Sequence, residues 1–155
     1  MQREEILNIA KEFLHLIENG EENPSDNVKS LWLILDKLAL AIHFVEFDFD
    51  ESEYPSPPKH DSNKLRARIS VSFPSFGNYN SVAKHVSDIA ESEIVIEDAI
   101  DDILDIAQEL EDVIWYWHNT SVEDALWNFK NGFENHWGLH LRNLQLYLYA
   151  ISQNL

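Results

Sequence analysis

The sequence contains no cysteine. Disulfides, thiolate zinc sites and cysteine nucleophiles are therefore excluded. Basic residues are scarce: 11 Lys and Arg stand against 28 Asp and Glu, giving a formal net charge of −17. Between Lys84 and Lys130 there is neither Lys nor Arg. Such a charge repels nucleic-acid phosphates and anionic membrane surfaces, and favours basic partners or divalent cations. Long apolar runs are missing too. The most apolar neighbourhood, LWLILDKLALAIHFV, is broken by Asp36, Lys37 and His43, short of the ~18 apolar residues of a membrane span. The N-terminal residues carry acids throughout and form no signal-peptide core, so a soluble, cytoplasmic protein is expected. No glycine-rich phosphate loop, nucleophile elbow or basic patch is present.

What is there reads as helix. A chain of 155 residues fits one domain spanning 1–155. Ile6, Ile9, Ala10, Phe13, Leu14 and Ile17 recur at helical spacing over 4–19, and Gly20 supplies the stop. Ser25 or Asp26 is placed to cap a second helix over 27–45, apolar nearly all round and expected to be the central one. EFDFDESEYPSPPKHD, residues 46–61, is a proline-rich acidic loop. Residues 64–73 fit a strand or a helix face; the lack of a partner strand favours a short helix ending before Pro74. SFGNYNS reads as a turn, and residues 94–118 as a third long helix. Thr120 and Glu123 have capping-box spacing for a last helix reaching about Gln153. The expected fold is an all-α, up-and-down bundle of four long helices plus a short helical segment.

On the third helix, Ile96, Ala99, Ile100, Ile103, Ile106, Leu110, Val113 and Trp117 share one face at ~100° per residue. Asp98, Asp101, Asp102, Asp105, Glu109 and Asp112 share the other, with Asp102 and Glu109 toward the border. On the last helix Leu126, Phe129, Phe133, Trp137, Leu144, Tyr147 and Ile151 define a buried stripe. His140 falls near its middle and His136 at its edge, so both should point inward. Buried imidazoles need hydrogen-bond partners; Asp102, Asp105, Asp36 and His43 are the inward candidates. Two histidines at i,i+4 with carboxylates across a bundle could equally hold zinc, manganese or iron. The HExxH arrangement is absent, because position 137 is Trp. Gly132 and Gly138 inside this helix imply a close neighbour or a bend.

EDAIDDILDIAQELEDV followed by DALWNFKNGFENHWGLH resembles a bacterial family catalogued only as a domain of unknown function, number 5063. The resemblance rests on Asp98, Ile100, Asp101, Asp102, Asp105 and Ile106, then on Ala125, Leu126, Trp127, Phe133, Glu134, His136, Trp137, Gly138 and His140. Phe73, Pro74, Gly77 and Tyr79 form a weaker third match, and the whole covers roughly residues 60–150. Where the family pattern carries an aromatic and a basic residue after Ile106, this chain has Ala107 and Gln108. The resemblance implies no activity, substrate or cofactor. It does imply that the acids and HWGLH belong to one arrangement.

Two functions follow as expectations. The first is a non-catalytic, immunity- or inhibitor-like module, docking a basic protein on Asp98, Asp101, Asp105, Glu109 and Asp112 with the FDFDESEY loop, and needing no cofactor. The second is a metal-dependent hydrolase with His136, His140 and Asp102 or Asp105 around a divalent ion between the last two helices. It requires the histidines to reach solvent.

Overall fold

The computed structural model describes residues 1–82 and 87–155. Helix α1 (Arg3–Asn19) opens with a reciprocal Gln2–Glu5 capping box and buries Ile6, Leu7, Ile9, Ala10, Phe13, Leu16 and Ile17. Gly20 ends it at φ 70°, in the left-handed region that glycine adopts at little cost. A 3-10 turn, Pro24–Asp26, leads into α2 (Asn27–Ala41), which continues as a 3-10 turn to Phe44. Neither Ser25 nor Asp26 caps α2 with its side chain; Asn23 instead accepts from the Ser25 N–H. Asn27 is buried yet satisfied: its Oδ1 accepts from the Glu21 N–H at 2.7 Å and its Nδ2 donates to the Ser72 carbonyl at 3.0 Å.

No helix or strand is assigned from Val45 to Asp61, matching the proline-rich loop. Residues 64–73 resolve as helix: α3 (Ser62–Ser72) starts at Asp61, whose side chain accepts from the Lys64 N–H. The all-α expectation needs correcting at the next step. Asn78–Val82 (β1) and Ile94–Asp98 (β2) form an antiparallel pair with Tyr79 opposite Glu97 and Asn80 opposite Ile96. SFGNYNS is thus partly strand, and the third long helix begins at Ala99 rather than 94. Neither segment carries a local strand signal, because the two pair across a connecting stretch with no hairpin turn motif. Ile96 consequently stands exposed on β2 instead of joining a helix face. Phe73 stacks on Phe76, Phe76 meets Tyr147 edge to face, and Tyr147 packs on Tyr79, which seats the strand pair on the helices.

Helix α4 (Ala99–Asn119), capped by Asp98 on the Ile100 N–H, packs against α1, α3 and the last two helices. It is the central element; α2 packs mainly on α1 and α6, and exposes Leu33 and Leu40. Ile103, Ile106 and Leu110 are fully buried. Each such burial stabilises by about 1.5–3 kcal/mol. Like-charge i,i+4 neighbours in the acid stripe cost only a few tenths of a kcal/mol, so packing wins.

Ser121, not Thr120, caps the next helix by accepting from the Asp124 N–H; Thr120 Oγ1 turns back to the Tyr116 carbonyl. Helix α5 (Val122–Gly132) passes through a π-helical turn, Phe133–Trp137, into α6 (Gly138–Gln153). The wider turn inserts one residue, rotating everything after it by ~100°. Buried positions accordingly run Leu126, Phe129, Trp137, Leu141, Leu144 and Leu148, while Ile151 is exposed. Gly138 is where the turn closes, its N–H donating to the Phe133 carbonyl. A Cβ there would lie 2.3 Å from that oxygen, so no larger residue fits without movement.

Candidate metal centre

Helix α4 presents Asp102, Asp105 and Glu109 at i, i+3 and i+7, toward the helix carrying His136 and His140. Asp102 is only 1% exposed. Its Oδ1 lies 2.7 Å from His140 Nδ1, and its Oδ2 accepts the Tyr79 hydroxyl from β1. His140 Nε2 faces Asp105 Oδ2 at 3.4 Å. One turn earlier, His136 Nδ1 lies 2.8 Å from Glu109 Oε1. The two imidazoles meet edge to face, ring centres 5.0 Å apart. One ligand atom from each of Asp105, His136 and His140 falls within 4.8 Å of the others.

Charge follows from these contacts. The hydrogen bond to Asp102 raises the His140 pKa against the opposing cost of burial, with Asp105 adding to the rise. Burial, and then the bond to Asp102, pushes the Tyr79 phenol well above its ordinary value. Tyr79 is thus held as the O–H donor.

The histidines are less buried than the uninterrupted stripe predicts. The His140 side chain is 23% exposed and that of His136 48% exposed. The inserted residue of the π turn is the cause, since it moves Leu141 rather than His140 to the centre of the buried face. Asp36 bonds Gln145 at the surface and His43 is exposed, so neither serves the imidazoles. Asp102 and Asp105 do.

The remaining acids of the stripe also have partners within the chain. Arg66 on α3 pairs with both Asp98 and Asp101. His60 Nδ1 lies 2.7 Å from Glu111 Oε2; its Nε2 lies 2.8 Å from Asp112 Oδ1, though out of line for a hydrogen bond. Burial raises the pKa values of Glu111 and Asp112, and His60 opposes that rise. Arg66 and His60 sit far away in sequence and carry no pattern linking them to α4. Tyr79 was signalled only by the family resemblance. Trp137 is fully buried, and its indole N–H has no hydrogen-bond partner among the described residues. That nitrogen lies 3.1 Å, and Glu109 Oε2 2.8 Å, from where a Gly132 Cβ would stand.

The model of the family described as "Domain of unknown function (DUF5063)" matches residues 2–153, extending the resemblance through the N-terminal third. Among solved structures, protein BF1032 from Bacteroides fragilis, known from a crystal structure, is similar with a TM-score of 0.70 at 20% identity, over 95% of this chain and 92% of that one. That likeness concerns the fold alone. No functionally curated protein matches the chain. Among the described residues no helix is long and apolar enough to cross a membrane. The chain belongs to the DUF5063 family.

Proposed function

We propose that the protein binds one divalent transition-metal ion through Asp105, His136 and His140, and uses it as a hydrolytic centre. One observation carries the reading: each imidazole has its Nδ1 engaged by a carboxylate, Asp102 or Glu109, which leaves Nε2 as the nitrogen available to a cation. Carboxylate–histidine–metal arrangements are built this way, the outer carboxylate fixing tautomer and ring orientation. Two nitrogens and one oxygen suit zinc, manganese or ferrous iron. Three protein ligands with half-exposed rings leave coordination positions for water, the pattern of reactive rather than closed structural sites. A bound water there would be activated by the ion.

Charge-steered docking to a basic protein is the second reading, and it has less behind it. Asp98, Asp101, Asp105, Glu109 and Asp112 already face Arg66, His140, His136 and His60. Their charge is partly spent inside the fold. The 28 acids leave an acidic surface all the same.

The test is elemental analysis of tag-free protein purified without chelator. About one transition metal per chain is expected, lost in His136→Ala and His140→Ala, with hydrolysis of phosphate- and amide-ester panels then dependent on it. No metal, together with a melting temperature unmoved by zinc or manganese, would overturn the reading.

A further inference from the structure

Resting on the metal-centre reading, we propose that Tyr79 and Asp102 act together as a positioning pair that fixes which nitrogen of His140 is offered to the ion. Both Asp102 oxygens are engaged: Oδ1 by His140 Nδ1 at 2.7 Å, and Oδ2 by the Tyr79 hydroxyl. Asp102 is 1% exposed, so water does not replace either partner. A carboxylate held at both ends cannot turn about its last bond. It holds a hydrogen on His140 Nδ1 and turns Nε2 toward Asp105, 3.4 Å away, where a bound cation would take that nitrogen's lone pair.

Tyr79 reaches this place because the strand pair is anchored from the same helix that carries His140. Tyr147 on α6 packs its ring 5.0 Å from that of Tyr79, and its hydroxyl accepts the Gly77 N–H at 3.2 Å. The phenol alone enters the relay. Tyr147 supports the strand without touching Asp102, which separates positioning from simple support.

Cobalt(II) affinity of the full chain, followed by its visible absorption, tests the proposal in wild type, Tyr79→Phe, Tyr147→Phe and Asp102→Asn. Losing an outer-shell partner typically weakens metal binding by about 10–100-fold. Tyr79→Phe and Asp102→Asn should each lose affinity in that range, and the double variant little more than either alone, because they act through one chain. Tyr147→Phe should bind as wild type does. If wild type binds cobalt and Tyr79→Phe stays within about two-fold of it, or Tyr147→Phe loses as much, the positioning role is wrong and the metal centre stands. Failure of wild type to bind cobalt removes both.

Discussion

Asp102 Oδ1 lies 2.7 Å from His140 Nδ1 across the packed face of α4 and α6, although Asp102 itself is almost wholly withdrawn from solvent. Removing one partner of a buried polar pair leaves the other uncompensated, at about 3–5 kcal/mol. Asp102→Ala strands both His140 and Tyr79, and a loss near ~3 kcal/mol is expected, since the histidine keeps some contact with water. Asp102→Asn retains an acceptor and should lose about 1–3 kcal/mol. Urea unfolding with an unchanged slope is the measurement; equal stability of the alanine variant and wild type would refute the account.

The two glycines of the last helix should respond in opposite ways. In an ordinary helix Gly→Ala gains ~1 kcal/mol. Gly138→Ala should instead destabilise, because its Cβ would fall 2.3 Å from the Phe133 backbone oxygen and the π turn could not close. Gly132→Ala meets Glu109 Oε2 at 2.8 Å, the end of a flexible side chain that can move aside, and the buried Trp137 ring at 3.1 Å, which must give by a few tenths of an ångström. Stability should change little there, while any metal affinity falls as Glu109 releases His136. Thermal melts of the pair, with metal titration of the second, decide it.

Acid and neutral pH should separate Glu111 from surface acids. Burial raises its folded pKa above the ordinary carboxylate value of 4.5, so its contribution to stability is fully present below that pH and is lost as pH rises through the higher folded value. Glu111→Gln should therefore stabilise the fold near neutrality and do nothing below about pH 4. Glu4→Gln, an exposed exchange of the same charge, controls for the general relief of negative repulsion. Denaturant midpoints at the two pH values would have to shift equally for both variants to defeat the prediction.

Asn27 joins the end of α1 to the end of α3 through Glu21 and Ser72. Asn27→Ala leaves an N–H and a carbonyl without their partner, and about 1–3 kcal/mol of stability should go with them. Hydrogen exchange at Glu21 should speed more than exchange in α4. Uniform acceleration would show that the bond is not local in effect.

The helices were legible wherever a periodic apolar face met a stop residue, as with Phe13 and Ile17 before Gly20. Residues 64–73 fit strand or helix alike; Pro74 and the missing partner give only a lean to helix, which the structure decides. Asn78–Val82 and Ile94–Asp98 read instead as part of a turn and the start of a helix, because their pairing is non-local and Ile94 and Ile96 lie on the exposed side. Helical geometry places Asp102 at the border of one apolar face and His140 within another, but it leaves Asp102, Asp105, Asp36 and His43 open as partners; the pairing of Asp102 with His140 comes from the structure. Tyr79 was not readable as its partner, because a hydroxyl reaching across from a strand leaves no periodic trace. His136 is more exposed than a regular helical wheel implies, because the step per residue changes through Phe133–Trp137.

A rod that grips its neighbours on two bearings must change phase somewhere along its length. Here the change occupies Phe133–Trp137, and it sets whether residue 140 or 141 meets the core. Sequence distance across that turn no longer reports a shared face. Deleting the codon of Glu134 or Asn135 would restore an unbroken α-helical phase and turn α6 about its own axis. The imidazole pair and its carboxylates would then part company, with every one of those residues still present in the chain.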